Sequence, residues 1–466
     1  MRADDHGNAT PVEGRIGQRP CTAVKSRLLI LLPDGHVHKL VLPYLKTSFR
    51  EAPLTATMLA ALTPAELGFD IEICDASVSD VPCDGKYDLV AISVITGTAV
   101  EGYRLADHFR AKGAKVVIGG VHATLLPDEA AAHADAVMTG FAEETWPAMC
   151  RDFLAGTLKP RYDGGSPELA GLPWPRRDLQ KRFGYMMPQT VFATRGCRNT
   201  CDFCAVVGAK FGWHERPVGE VAAEVAALPG RRFVFNDVSL CEDREYALRL
   251  CRALKPLKKK WGGLMTLKAA ADEAMLDALV DAGCCYILLG FESARPAGVA
   301  GIRKSFNAPE NYQRIVTAMH ERGMMIQGCF IFGLDDDTPS VFEDTVKMVD
   351  ELRIDIPRYA LYTPFPGTDC YRRTVAEGRL LPDVNWSWYD TQHVVVRPKH
   401  MSPEELDAGF VRAWRHTYSM KSILTRLSPK RDQFVVALAG NLAYRLYRAR
   451  LAKDAHRFAC SLEDVP

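Results

Sequence analysis

Between Arg27 and Leu154 the chain alternates short apolar runs with longer mixed stretches. Leu28–Leu32 is continuously apolar and stops at Pro33-Asp-Gly35. A parallel strand covered by helices on both faces reads this way. A helical stretch over 53–67 precedes the alternating strand Asp70–Cys74 and the buried strand Asp88–Ile95. A helix over 99–112, the strand Lys115–His122, a helix near 127–133, the strand Ala136–Gly140 and a helix opening at Glu143-Glu144 follow. Such β–α alternation predicts an α/β, doubly wound, Rossmann-like domain, whose ligands bind beyond the carboxyl ends of the strands. Small residues stand at those ends: Ser93, Thr96, Gly97, Thr98, Gly119, Gly120, Thr124 and Gly140. They let a large ligand approach the backbone closely. No Gly-x-Gly-x-x-Gly follows the first strand, so a dinucleotide site is disfavoured.

Residues 161–189 carry Gly164-Gly-Ser-Pro167, Pro173-Trp-Pro175 and Pro188, the composition of an extended linker. From 190 to about 375 alternation resumes. Strands are expected at 185–193, 232–236, 263–267, 286–291, 326–332 and 358–362. Helices fit at 217–228, 243–260, 272–282, 308–322 and 338–352. Five or six such units predict a partial (β/α)6 barrel with its chemistry at the C-terminal strand ends. The remainder, 376–466, is a mainly helical extension with a strand at Val394–Arg397 and a capping box, Ser402-Pro-Glu-Glu405, before a helix over 403–418. Residues 421–453 carry eight Lys or Arg and one acidic residue among apolar runs. That pattern fits a packed amphipathic helix with a solvated basic face, or peripheral contact with an anionic membrane.

Length changes the picture little: 466 residues suit two or three domains, here 25–160, 190–375 and 376–466 behind a polar arm over 1–24. That arm lacks the apolar core of a signal peptide. The apolar share of 47% and charged share of 25% are those of a soluble globular protein, and a net charge of +1 points to no nucleic acid. No apolar run is long enough to span a membrane. Scattered cysteines, with the adjacent pair Cys284-Cys285, form no disulfide framework, so a reducing cytoplasm is expected.

Chemistry concentrates in Thr194-Arg-Gly-Cys197-Arg-Asn-Thr-Cys201-Asp-Phe-Cys204, where three cysteines fall within eight residues after the first barrel strand. Closely spaced thiolates suit an Fe–S cluster, zinc or Cu(I). Zinc usually shows two pairs of ligands, and no second pair follows. A [4Fe–4S] cluster on three cysteines leaves one iron without a protein ligand. With Phe203 before the third cysteine, the run resembles the cluster loop of the radical S-adenosylmethionine (SAM) enzymes. In that family the open iron chelates SAM, and one electron, from a flavodoxin- or ferredoxin-type donor, cleaves it to a 5′-deoxyadenosyl radical.

The resemblance extends to other segments. Gly290-Phe-Glu-Ser293 and Gly328–Gly333 followed by Asp335-Asp-Asp337 look like SAM-binding strand ends of the family. It implies SAM contacts from Phe203, Asn236, Asp237, Glu292, Ser293 and Gly333, and strand parity points Lys268 toward the same barrel mouth. Read by themselves, Asn236-Asp237 also suit a helix cap and Lys268 the surface, whereas a carboxylate such as Glu292 at the end of an apolar strand demands hydrogen-bond donors. The acidic run 335–337 reads as the solvated start of a helix. Gly119–Glu129 and Gly140–Glu144 look like the cobalamin-binding domain that precedes many radical SAM cores, and Thr363–Asp369 like the segment closing the barrel in cobalamin-dependent members. His122 and Glu143 join the small residues above as implied cobalamin contacts, although His122 also fits a satisfied loop histidine. The Asp-x-His-x-x-Gly loop whose histidine ligates cobalt is absent; His36 and His38 lack that spacing. The family's commonest reaction is methylation of an unactivated carbon through methylcobalamin, which a second SAM remethylates. The alternatives are an oxidative cyclase, a hydroxylase or a carbon–carbon coupling enzyme acting on a tetrapyrrole or lipid, and a cobalamin- or cluster-based sensor. The substrate expected is a small molecule, large and apolar for its class.

Overall fold

The apolar runs of the first half assemble into one parallel sheet: β1 (Arg27–Leu32), β2 (Asp70–Asp75), β3 (Leu89–Ser93), β4 (Lys115–Gly119), β5 (Ala136–Thr139) and β6 (Arg161–Asp163). The computed structural model describes residues 25–35, 39–42, 45–428 and 432–451; the expected arm over 1–24 and His36 and His38 lie outside the described residues. Strand order is β2-β1-β3-β4-β5-β6, and every pairing is parallel. The continuous apolar β1 is explained by its two covered faces. Leu29 and Leu31 pack with Tyr103 and Phe109 on one side. Leu28 and Ile30 pack with Trp146 and Met149 on the other. The order reverses between β1 and β3, which sets a ligand crevice at their carboxyl ends.

The linker expected over 161–189 is partly sheet. Residues 161–163 extend the domain as β6, anchored by buried Tyr162, whose hydroxyl donates to Asp152 Oδ2 at 2.8 Å. Tyr185–Met187 pairs with the strand Leu45–Glu51 in a small three-stranded sheet. Both pieces are three residues long, too short to show a period.

The second half forms β7 (Thr190–Val191), β8 (Arg232–Phe235), β9 (Lys260–Met265), β10 (Cys284–Glu292), β11 (Met325–Phe332) and β12 (Ile356–Leu361). They run parallel in consecutive order, as an open six-stranded barrel must. Alternation divides the faces. Ile287, Leu289 and Phe291 of β10 join the helices in the main core. Tyr286, Leu288, Gly290 and Glu292 are left for the barrel axis. Two expectations shift: the strand placed at 263–267 runs over 260–265, because Thr266 caps a one-turn helix, and that placed at 185–193 is interrupted between Met187 and Thr190.

The extension packs on the last barrel strands. Ser402 and Glu405 form the expected capping box of Pro403–Thr417. Helices Met420–Arg426 and Phe434–Leu451 follow. Arg426 is fully buried, donating to the carbonyls of Ile354 (2.7 Å), Asp355 (3.0 Å) and Thr417 (2.9 Å) and to Asn441 Oδ1 (2.9 Å). One of the basic residues of the tail is thus a structural cation satisfied by carbonyls. The strand expected at Val394–Arg397 is reduced to an isolated bridge between Leu380 and Val396.

Candidate functional site

Beyond β7 the chain turns into a short hairpin, Thr194–Gly196 against Trp213–Glu215, and the cysteines occupy the loop between its arms. Gly196 has φ +77°, and a Cβ there would stand 1.9 Å from Gly212 O. No other residue fits. Cys197 N–H closes the turn on Gly212 O at 2.7 Å. The root of the loop is held by Asp237 at the end of β8. Its carboxylate accepts from the N–H of Ala193 (3.1 Å) and Thr194 (2.5 Å) and from the Thr194 hydroxyl (2.6 Å). Burial raises its pKa to about 6 although those hydrogen bonds act in the opposite direction. Asp237, expected to meet SAM, is instead turned inward at 3% exposure, with its carboxylate taken by the loop. Asn236 beside it is exposed, and its amide donates to Ala52 O at 3.1 Å.

Cys197 and Cys204 are partly exposed and Cys201 is buried. Burial raises the Cys197 thiol, against which Asn199 donates to Sγ from its backbone N–H (3.5 Å) and Nδ2 (3.3 Å). Burial pushes Cys201 up to about 12. Among the described residues no three His, Cys, Asp or Glu side chains close on a point able to hold one metal ion. Cys197, Cys201 and Cys204 stand close enough for their charges to act on one another, and three thiols on one loop fit a cluster that takes one thiolate per iron. Asp202, between the second and third cysteines, is buried and pairs with Arg373 at 2.9 Å, which ties the loop to the helix Asp369–Ala376.

Across the mouth, β10 ends in a bulge at Gly290/Glu292. Glu292 has φ +64°, a strained conformation for a non-glycine residue, and is 7% exposed. It pairs with Lys304 at 2.5 Å, and Lys304 Nζ also donates to Gly290 O at 3.0 Å. Burial depresses the lysine most strongly, but the charge and hydrogen bond of Glu292, with the thiols of Cys201 and Cys329, together outweigh it and the Lys304 pKa is raised. Lys304 also acts on Cys201, so this cation stands between the cluster loop and Glu292. Nothing in the sequence pattern singled it out: it lies in an irregular stretch with no periodicity. Glu292 and Phe203 line one cavity of about 260 Å3, together with Cys329, Arg358 and Tyr362. Ser293 is buried at 2%, its Oγ accepting from Arg295 N–H. Lys268 is exposed on the helix Leu267–Ala270. Gly333 has φ +91° and donates its N–H to Asp337 Oδ2 at 2.9 Å. Asp337 is 1% exposed, so the acidic run is not wholly the solvated helix start that was expected.

The strand ends of the first domain are built differently. Gly120 (φ +99°) lies so close to β3 that a Cβ would meet Val94 O at 2.5 Å, and Gly140 (φ +70°) lies against Gly164. Thr124 Oγ1 accepts from Gly140 N–H at 3.0 Å. Ser93, Gly119, Gly120, Thr124 and Gly140 remain partly exposed along this edge, whereas the Glu143 side chain, expected to join them, is only 6% exposed. Thr96 and Thr98 are buried, and Gly97 is covered by Tyr389 and Asp390 of the extension. His122 was open to two readings. It is fully buried, with Nδ1 3.3 Å from Thr96 Oγ1 and Nε2 3.3 Å from Glu129 Oε1. Trp386 packs on its ring and donates to Glu129 Oε2 at 3.0 Å. Both ring nitrogens have a partner, the geometry of a satisfied histidine.

The two faces meet. Glu143, after β5, reaches Arg195, two residues before Cys197, at 3.5 Å. Phe141 packs against Phe211 and His214, at ring-centroid distances of 5.0 and 5.2 Å. Gly367, in the segment that closes the barrel, lies against Leu125. The carboxyl edge of the first sheet therefore opens toward the cysteine loop and the barrel mouth.

The B12 binding domain profile matches residues 33–149 and the Radical SAM superfamily profile residues 191–349. The chain is 31% identical to bacteriochlorophyllide d C-12(1)-methyltransferase of Chlorobaculum tepidum, over 81% of this chain and 85% of that protein. It is 27% identical to the C-8(2)-methyltransferase of the same organism, over 86% and 92%. The structure of the radical SAM methyltransferase TsrM from Kitasatospora setae, with cobalamin and a [4Fe-4S] cluster bound, superposes with a TM-score of 0.61 at 15% identity, covering 88% of this chain and 90% of that one.

Proposed function

The chain belongs to the cobalamin-dependent radical SAM methyltransferases, and from that premise we propose that it methylates an unactivated carbon of a tetrapyrrole. The observation that carries this reading is the meeting of the two faces through Glu143–Arg195 and Phe141–Phe211, which sets the first domain's ligand edge over the cysteine loop. Cys197, Cys201 and Cys204 would hold the cluster, and the open edge formed by Gly119, Gly120, Thr124 and Gly140 would take the cobalamin. When bound, these groups and SAM supply hydrogen abstraction and a transferable methyl group. The protein's share is positioning. Asp237 fixes the loop root, Lys304 and Glu292 present fixed charges at the mouth, and the apolar wall of Phe203, Ile331 and Phe365 excludes water. Phe203, Asn236, Lys268, Glu292, Ser293 and Gly333 remain the proposed SAM neighbourhood, with Glu292 the residue best placed to touch it.

A one-electron donor of flavodoxin or ferredoxin type completes the reaction. No helix of the described residues is long and apolar enough to cross a membrane. The exposed stripe Val435, Leu442 and Leu446, beside Met420 and Leu424, is flanked by Arg415, Arg445 and Arg448, and it suits the face of an anionic bilayer.

The test is turnover by anaerobically reconstituted protein with SAM, cobalamin, a reductant and a bacteriochlorophyllide. Methylated pigment, S-adenosylhomocysteine and 5′-deoxyadenosine are expected together; 5′-deoxyadenosine without methylated product would overturn the methyltransferase reading. Sedimentation with vesicles rich in phosphatidylglycerol, absent with phosphatidylcholine alone, checks the membrane face.

A further inference from the structure

Inside the barrel the polar side chains of β10 and β11 are paired: Tyr286 donates to Gln327 at 2.6 Å, and Glu292 holds Lys304 at 2.5 Å. Arg358, on β12, is not. It stands in register with Cys329 of β11 and lines the cavity at the mouth. It also lines a second cavity, of about 140 Å3, reached from the amino ends of the strands and walled by Trp261, Tyr286 and Tyr444. Arg358 is thus the floor of one chamber and the roof of the other. Among the described residues it makes no hydrogen bond and no ion pair within 4.0 Å. The nearest carboxylate that acts on it, Glu51, lies beyond ion-pair distance and is shared with a second guanidinium, that of Arg50, on which Asp75 and Asp34 also act.

A guanidinium inside a barrel is costly to leave without an anionic partner. Arg426, one of the fully buried arginines, shows how the fold satisfies a cation it uses for structure: its guanidinium donates to five oxygens and stands 3.5 Å from the Asp350 carboxylate. Among the described residues Arg358 has none, although its planar fork of donors matches a carboxylate. It faces the chamber where Phe203 and Glu292 mark the reacting end.

We propose that Arg358 is a carboxylate receptor at the floor of the active-site cavity, which takes the free acid arm of the substrate and so fixes which carbon is presented to the cofactors. The proposal rests on the tetrapyrrole reading for its choice of probe. Two carboxylates reach this chamber in that reading, the substrate's and that of SAM, and the test separates them.

The experiment compares wild type with Arg358→Gln, which keeps much of the volume and removes the charge, and with Arg358→Lys. Three readouts are taken on reconstituted holoenzyme: binding of chlorophyllide a, whose propionate is free; binding of its propionate methyl ester; and binding of SAM. Wild type is expected to prefer the free acid at least about tenfold, a difference of about 1.4 kcal/mol. Arg358→Gln is expected to lose that preference, and Arg358→Lys to recover part of it. A tenfold loss confined to SAM would place the receptor's carboxylate on SAM instead. Unchanged binding of both acids by Arg358→Gln overturns the proposal, including the case in which neither chlorin binds and SAM affinity does not move. The melting temperature adds a readout that separates receptor from scaffold. A structural arginine would lower it when replaced, whereas an unpaired one leaves it unchanged or raises it. Chlorophyllide that binds through Arg358 but is never methylated would sink the proposed function and leave the receptor standing.

Discussion

At the carboxyl ends of β3–β5 the protein presents backbone, glycine and hydroxyl groups; at those of β7–β12 it presents thiols, a buried carboxylate–lysine pair and a guanidinium. The contrast follows from what each face must hold. A broad, largely neutral macrocycle needs close approach and shape, and Gly120 and Gly140 allow it at positive φ. An iron–sulfur cluster and a zwitterionic cosubstrate need donors and fixed charges, and these must be buried to act strongly. The barrel face is therefore the one that stores unfavourable energy. Glu292 sits at a strained φ, Asp237 is a buried carboxylate, and the charges of Lys304 and Arg358 are inside the barrel.

The contrast can be broken most completely at the thiols. Cys201→Ser is expected to lower bound iron and abolish SAM cleavage, while the cobalamin spectrum of the first domain is retained. Iron analysis and absorbance on the same sample check it. Loss of both cofactors together would show that the two faces do not load independently.

Next in size is the buried ion pair. Lys304→Met leaves Glu292 as an unpaired carboxylate at 9% side-chain exposure, which should cost about 3–5 kcal/mol. The double variant Glu292→Gln/Lys304→Met should recover most of that stability but not SAM affinity. Urea unfolding of the four-member cycle measures the coupling; additivity within about 0.5 kcal/mol would mean that the pair does not act as a unit.

A smaller, pH-dependent term belongs to Asp237. Its folded pKa of about 6 lies above the ordinary carboxylate range, so the folded state holds the proton more tightly than the unfolded one. The stability it contributes is fully present below about pH 4 and is lost as pH rises through about 6, by about 2–3 kcal/mol. Asp237→Asn removes this dependence. Asp337, also raised to about 6, would obscure it in wild type alone. The difference between wild type and variant, followed from pH 4 to pH 7, isolates it; a flat difference would mean that the loop donors fully compensate burial.

Much of this was legible in the sequence because it is periodic or closely spaced. Leu28–Leu32 and Tyr286–Phe291 announce two-sided burial, and the cysteine triplet announces its own chemistry. What escaped is what depends on distant partners. Asp237 stands where a ligand contact was expected, but its donors come from Ala193 and Thr194, more than forty residues earlier. Lys304 and Arg358 carry no local pattern and acquire meaning only when strands four to six of the barrel come together. Residues 161–163 and 185–187 looked like linker because their strand character is borrowed from neighbours already in place.

The smallest effect tests the neutral face. His122 was the residue of the first domain with the most evident metal chemistry, yet burial lowers its pKa and keeps it neutral between Thr96 and Glu129. A neutral, fully buried imidazole with both nitrogens engaged is a brace. It fastens the loop after β3 to Glu129 and, through Trp386, to the extension. His122→Asn should therefore cost about 1 kcal/mol, the scale of one or two net hydrogen bonds. It should leave the electron paramagnetic resonance spectrum of bound cob(II)alamin unaltered, without nitrogen splitting from a protein ligand in either protein. Nitrogen splitting in wild type that vanishes in the variant would make His122 a cobalt ligand. The first domain would then hold its cofactor by a bond, as the barrel does, and the contrast between the two faces would fail.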